Sequence, residues 1–422
     1  MNETPSANRT HIAFFGRCNA GKSSLVNAVT NQNLAIVSET KGTTTDPVYK
    51  AMELLPLGPV VIIDTPGIDD EGGLGEQRVN RARQVLNKTD IAVLVLDVQE
   101  NVSPRSEKRV YGIDLYQQEE ELIGIFKEKN VPYIIALNKS DLFLSSPSSL
   151  CDLRASVPLC EDYCEILPVS AKTGFNIQLL KEKIAALVPT AENNLLVADL
   201  VKPFDLVVLV IPIDKAAPKG RLILPQQQVI RSILDSGAAV LAVREGELKE
   251  TLDSIDRKPA LVITDSQVFD KVNAAVPPDV PLTSFSILFA RNKGVLETAI
   301  RGVVALDTIN DGDKILICEG CTHHRQCDDI GTVKLPLWIK NYTKKSVEFV
   351  FCSGGDFPKD ISAFKMIIHC GACMLNNREV QHRCLCAQEQ NIPFTNYGIT
   401  IAFINGILKR SISMFNFNET EK

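Results

Sequence analysis

Two rhythms of apolar residues alternate along the chain. Short unbroken apolar runs at His11–Phe15, Val60–Ile63 and Ile134–Leu137 read as buried strands. Ser24–Val29 and Asn176–Val188 carry apolar residues at helical spacing, and the second stretch stops at Pro189. Beyond the polar link Thr190–Asn194 the alternation resumes. Strands are predicted at Leu206–Ile211, Ala239–Val243, Ala260–Thr264 and Thr283–Phe289, with helices at Pro225–Asp235, Glu247–Ile255 and Gln267–Ala275. Regular β-α-β alternation with short turns predicts a second, small parallel sheet. The last third predicts strands at Lys314–Cys318, Val333–Ile339, Val347–Cys352 and Lys365–Ile368, then a helix over Asn376–Gln388. Its final apolar segment reads as a strand over Ile399–Ile404 followed by a helix start at Gly406–Leu408. The pattern thus predicts an α/β protein of three domains, spanning 1–190, 195–290 and 291–422.

The first strand runs into Gly16-Arg-Cys-Asn19-Ala20-Gly21-Lys22-Ser23-Ser24, and a helix follows. Strand, G-x-x-x-x-G-K-S and helix is the setting of a phosphate-binding loop. Its glycines let backbone N–H groups surround phosphates at a helix N-terminus. Lys22 is expected to reach the β- and γ-phosphates, and Ser23 a magnesium ion. Thr44, within Gly42-Thr-Thr-Thr-Asp46, is expected to complete the magnesium shell, with Asp64 of Asp64-Thr-Pro-Gly67 holding it through water and Gly67 sensing the γ-phosphate. Asn138-Lys139-Ser-Asp141 ends a further strand. A carboxylate there can accept guanine N1–H and N2–H together, which adenine cannot offer, and Ser170-Ala171-Lys172 supplies donors to guanine O6. GTP is the nucleotide these motifs select. Ile68 stands where Ras-like enzymes place a water-orienting glutamine, so slow intrinsic hydrolysis is expected.

No such chemistry marks the middle segment. Asp214 and Asp265 sit at strand ends, where an aspartate serves most often as a cap or turn residue. A docking or dimerisation role is the plain expectation. The last third is different: eight of the twelve cysteines and four of the five histidines lie between residues 318 and 386. Cys321 and His323 form C-x-H, and His369-Cys370-Gly-Ala-Cys373 forms H-C-x-x-C. Thiolates and imidazoles gathered in this way suit iron–sulfur clusters and zinc. Cys321, Cys370 and Cys373 could hold a cluster through three thiolates. Alternatively, Cys318, Cys321, Cys370 and Cys373 could form a zinc site, although 48 residues separate the pairs where ~15–20 are usual. Burial as small apolar groups is the third reading.

Composition narrows the field. Apolar residues at 45% and charged residues at 23% are ordinary globular values, and the net charge of −6 offers no general attraction to nucleic acid or anionic membrane. No apolar run approaches the roughly 20 residues of a membrane span. Twelve cysteines without a visible export signal lead us to expect reduced thiols in the cytoplasm.

In their order, the five nucleotide motifs over residues 11 to 188 resemble the GTP-binding domains of translation-factor-like GTPases, especially the Era and MnmE group. That likeness implies a potassium ion held by Asn19 against the phosphates. The whole chain resembles the HydF family, the maturation GTPases of [FeFe]-hydrogenase. The likeness rests on the order of domains, on C-x-H…H-C-x-x-C, and on the runs Ala216–Pro225, Cys321-Thr-His-His324, Ile368–Asn376 and Thr395-Asn-Tyr-Gly398. It implies a [4Fe–4S] cluster on Cys321, Cys370 and Cys373, with His323 and His369 as candidates beside the fourth iron. It further implies a transient diiron precursor carrying CO and CN⁻. Apo-[FeFe]-hydrogenase and two radical-SAM maturases are the partners it implies, with a homodimer or a dimer of dimers as the assembly. A ribosome- or RNA-linked GTPase with a C-terminal zinc site is the rival reading; it needs a basic face that the composition does not favour.

Overall fold

In a computed structural model of the chain, the structure describes residues 4–32, 47–68, 82–101, 113–142, 164–188, 196–213, 222–320 and 329–415. The chain separates into two compact units, Met1–Glu192 and Asn193–Lys422.

In the first unit the described strands are β1 (Thr10–Phe15), β2 (Val48–Leu54), β3 (Gly58–Asp64), β4 (Ile91–Asp97), β5 (Tyr133–Asn138) and β6 (Cys164–Pro168). They form one sheet in the order β2-β3-β1-β4-β5-β6. Only β2 runs antiparallel to its neighbour. Helices cover both faces, which is why β4 is apolar and buried along its whole length. Alternate residues serve opposite cores. Ala13, Phe15, Leu94 and Leu96 pack with Leu122 and Phe126 of the helix Gln117–Glu128. Ile12, Phe14, Val93 and Val95 pack with Leu25 and Val29 of Lys22–Thr30 and with Leu180 and Ile184 of Ile177–Ala186.

Among its described residues the second unit holds two four-stranded parallel sheets around one continuous apolar core. The first contains β7 (Leu206–Val210), β8 (Ala239–Val243), β9 (Leu261–Thr264) and β10 (Leu282–Ser284), ordered β10-β9-β7-β8. The other contains β11 (Lys314–Glu319), β12 (Glu348–Ser353), β13 (Met366–His369) and β14 (Phe394–Asn396), ordered β12-β11-β13-β14. Read from opposite edges these are the same topology. Registers agree as well: Val210 pairs with Val243 and Thr264, and Cys318 pairs with Cys352 and His369. Each fourth strand turns at once into a capped helix. Ser284 Oγ accepts from Ile287 N at 3.3 Å, and Asn396 Oδ1 accepts from Ile399 N at 2.9 Å. From Ser284 to Ile300 the two copies align at a constant offset of 112 residues, matching Ile287 with Ile399, Ala290 with Ala402, Gly294 with Gly406 and Leu296 with Leu408. Both glycines have positive φ, 75° and 69°. The unit is an internal duplication. Its copies exchange their last helices: Leu296–Val303 packs on β14 and Leu408–Ile412 on β10.

Three predicted strands are corrected. Thr283–Phe289 and Ile399–Ile404 are mostly helix, over Phe285–Asn292 and Tyr397–Ile404. Tyr397 to Ala402 are all buried, so that helix shows no polar face from which its period could be read. Val333–Ile339 alternates like a strand, yet Val333 and Leu337 are exposed while Leu335 and Ile339, four apart, are buried. A wide helical turn over Ile330–Lys334 leads there into the helix Leu335–Thr343, with Pro336 in its first turn.

Candidate nucleotide and thiol sites

β1 delivers Gly16 beside β4, where an added Cβ would lie 2.3 Å from the Val95 carbonyl oxygen. Gly21 has φ of 86°, and a Cβ there would lie 2.3 Å from Asn138 Nδ2. Only glycine lets the loop pass this close to both strands. Lys22 Nζ donates to the carbonyls of Gly16 (2.9 Å) and Arg17 (2.7 Å), inside the loop it would serve. Ser23 Oγ donates to Asp64 Oδ2 at 2.6 Å, so the two expected magnesium-shell residues meet at the ends of the first helix and β3. Burial raises the Asp64 carboxyl above its usual range, opposed by the Ser23 bond and the charge of Lys22. Asp64 Oδ1 is buried with no hydrogen-bond partner among the described residues. A buried acceptor without a donor, next to a serine hydroxyl, fits a divalent cation. Gly67 lies against Cys18, with room for no side chain.

The guanine end is joined to the phosphate end by one side chain. Asn138 Nδ2 donates to Ala20 O at 3.0 Å, and Asn138 Oδ1 accepts from Ala171 N at 3.1 Å. Ser170 Oγ donates to Asp141 at 2.6 Å, and Lys139 Nζ donates to Asp97 at 2.5 Å. A cavity of about 750 Å³ opens between these loops, lined by Gly21, Ser24, Asn138, Asp141, Ala171 and Lys172 among others. Asn19 is exposed at φ of 61°. Ile68 is buried in the apolar core. Thr44 lies outside the described residues. One contact was not legible in the motif itself: the Arg17 guanidinium stacks 3.7 Å from the Tyr116 ring centroid and bonds Glu100 at 2.8 Å.

In the second unit the thiols gather at the carboxyl edge of the β11–β13 pair. Cys370 N donates to Cys318 O at 2.8 Å, and Cys370 Sγ accepts from Gly320 N at 3.1 Å. Cys370 and Cys373 are half-buried. Burial pushes both thiols up, Cys373 to about 12. Cys318 belongs elsewhere: it is fully buried, and the Cys352 thiol donates to its sulfur at 3.1 Å from the next strand. His369 is also buried, with Nδ1 donating to Cys370 O (3.0 Å) and Nε2 accepting from Arg383 Nη1 (3.1 Å). Burial first, and then the Arg383 charge, lower its pKa to about 3, so the ring is neutral. Cys321 and His323 lie outside the described residues, as does the segment around Asp214. Among the described residues no group of three metal-ligating side chains converges. Asp265 is a cap, accepting from Gln267 N at 3.0 Å.

Two cations here escaped the motif reading. Arg383 and Lys293 are 1% and 2% exposed. Arg383 lies on the buried stripe of its helix with Val380, Cys384 and Ala387, and a charge in an apolar stripe was the available signal.

A phosphate-loop sheet with guanine-type loops, followed by a duplicated parallel α/β unit carrying thiols, defines a GTPase-domain protein with a second, cysteine-bearing module. Residues 11–139 match the 50S ribosome-binding GTPase family. Residues 196–294 match the hydrogen maturase F dimerization domain, and residues 297–414 its tetramerization domain. The chain belongs to the hydrogen maturase F family. Among curated proteins it resembles GTPase Der of Wolinella succinogenes, 32% identical over 190 residues, covering 44% of this chain and 36% of that protein. GTPase Der of Campylobacter lari is 29% identical, covering 54% and 51%. The chain therefore spans about half or less of these relatives' length. A structure of Aquifex aeolicus Era bound to GDP and AlF4⁻ aligns at 23% identity and TM-score 0.36, over 56% of this chain and 92% of that one. Among the described residues no helix is long and apolar enough to cross a membrane.

Proposed function

We propose that the chain is a slow GTPase and metallocluster scaffold in [FeFe]-hydrogenase maturation. The observation that carries this reading is the pairing of two hydrogen maturase F domains with a phosphate loop whose Lys22, Ser23 and Asp64 converge. Lys22 holds the β- and γ-phosphates, Ser23, Thr44 and Asp64 hold magnesium, and Gly67 meets the γ-phosphate. Gly16, Asn19, Ala20, Gly21 and Ser24 line the phosphates. Asn138, Lys139, Asp141, Ser170, Ala171 and Lys172 select guanine. Magnesium, when bound, neutralises charge on the phosphates, and a potassium ion at Asn19 adds to it. The buried Ile68 supports slow turnover, because no side chain there can orient water.

In the second unit Cys321, Cys370 and Cys373 hold a [4Fe–4S] cluster. Burial of Cys318 against Cys352 supports three thiolates over a four-thiolate zinc site. His369 would have to leave Arg383 to reach iron, so His323 is the imidazole we assign beside the fourth iron. A cluster with one weakly held iron can bind a CO- and CN⁻-ligated diiron precursor and release it to apo-hydrogenase; the two radical-SAM maturases are further partners. The dimerization and tetramerization domains support a homodimer or a dimer of dimers. Anaerobic reconstitution tests this directly. Brown protein with a [4Fe–4S] EPR signal on reduction is expected, whereas colourless protein with stoichiometric zinc would replace the reading with the zinc rival.

A further inference from the structure

Two buried cations approach the thiol loop from opposite sides of the duplication. Lys293 belongs to the first copy, yet its Nζ donates to Leu375 O at 2.6 Å, two residues beyond Cys373. Arg383 lies in the second copy, bonding His369 next to Cys370, the Gly354 carbonyl, and Glu379 at 2.7 Å. Glu379 balances part of that charge, but Arg383 Nε is buried with no hydrogen-bond partner among the described residues. A buried positive charge acts on its neighbours through a low local dielectric, and both side chains bond groups within two residues of the paired cysteines.

The duplication sharpens the point. At the offset of 112, the position of Lys293 is taken by Asn405, which only bonds its own helix at Ile401 O (2.9 Å). Lysine stands in the copy whose neighbour bears the thiols, and a neutral residue stands in the other.

We propose that Lys293 and Arg383 are positioning residues that compensate the charge of an anionic cluster on Cys370 and Cys373, setting its reduction potential less negative than the thiolates alone would. The inference rests on the cluster reading above. A core of formal charge two-plus on three thiolates is a monoanion, and one-electron reduction doubles that charge. Cluster potential rises when nearby positive charge stabilises the reduced form.

The test is a dithionite redox titration of the reconstituted full-length protein, followed by EPR. Lys293→Met and Arg383→Met are each expected to shift the midpoint to more negative potential, with Lys293→Arg and Arg383→Lys restoring most of the shift. Midpoints equal to wild type in both methionine variants, with the cluster still lost in Cys370→Ser, would overturn the charge pair and leave the cluster reading standing. Retention of an unchanged cluster in Cys370→Ser would overturn both. Should Arg383→Met fail to fold, the Lys293 pair of variants decides by the same criterion.

Discussion

Glu119 provides a test of the first unit's electrostatics. It is 1% exposed, and its Oε2 accepts from Tyr116 N at 3.0 Å and from Asn101 Nδ2 at 2.8 Å. Burial raises its pKa from 4.5 to about 7, opposed by those two bonds and by Arg17, and assisted by Glu100. The folded unit thus keeps a proton that the unfolded chain has lost. Stability from this group is present below the unfolded value, falls as pH rises from about 4.5 to about 7, and is flat above. The whole loss is roughly 3 kcal/mol, at about 1.4 kcal/mol per pH unit. Glu119→Gln keeps an acceptor for both bonds and removes the titration. Hydrogen exchange of the helix Gln117–Glu128 in the full chain, corrected for intrinsic rates, reads the effect. At pH 4, below the unfolded value, variant and wild type should be nearly equal. At pH 8 the variant should be more protected by about 2–3 kcal/mol, or roughly a hundredfold slower exchange. A variant less protected than wild type at pH 8 would refute the argument, since the carboxylate would then be stabilising.

Further outcomes follow from other contacts. Gly302→Ala should destabilise the second unit by about 2 kcal/mol or more, because a Cβ would lie 2.1 Å from Phe394 O where the exchanged helix crosses β14. Urea unfolding followed by Trp338, the chain's single tryptophan and part of that core, measures it. Lys22→Ala should abolish GTP turnover and leave the reduced-cluster EPR signal intact, while Cys370→Ala should do the reverse. GTP turnover should be faster in potassium than in sodium chloride; equal rates would remove Asn19 from an ion-binding role.

Much of the first unit was legible because its chemistry is local. The glycines, lysine and serine of residues 16–23 are contiguous, and the strand before and helix after follow from short-range pattern. Asp64, Asn138 and Ser170 are far apart in sequence, but each sits at a strand's carboxyl end, a place the alternation predicts. The second unit was harder. Its four-stranded sheets were foreseen in kind, but the strand-to-helix switches at Ser284 and Asn396 were hidden, since each follows an apolar run and leads into a helix buried nearly all round. The 112-residue repeat was equally obscure, because it lives in backbone register more than in identity.

Sequence alone determined the nucleotide loops, the order of the domains and which residue types could meet a metal, because those depend on neighbours and on side-chain chemistry. Only the tertiary structure decided that Cys318 turns to Cys352 in the core, that His369 is occupied by Arg383, and that Lys293 reaches the thiol loop from the other copy. Those outcomes are set by strand register and tertiary packing between residues 14 to 82 positions apart, and the charge of Arg383 in an apolar helix stripe is the one local trace they leave in the sequence.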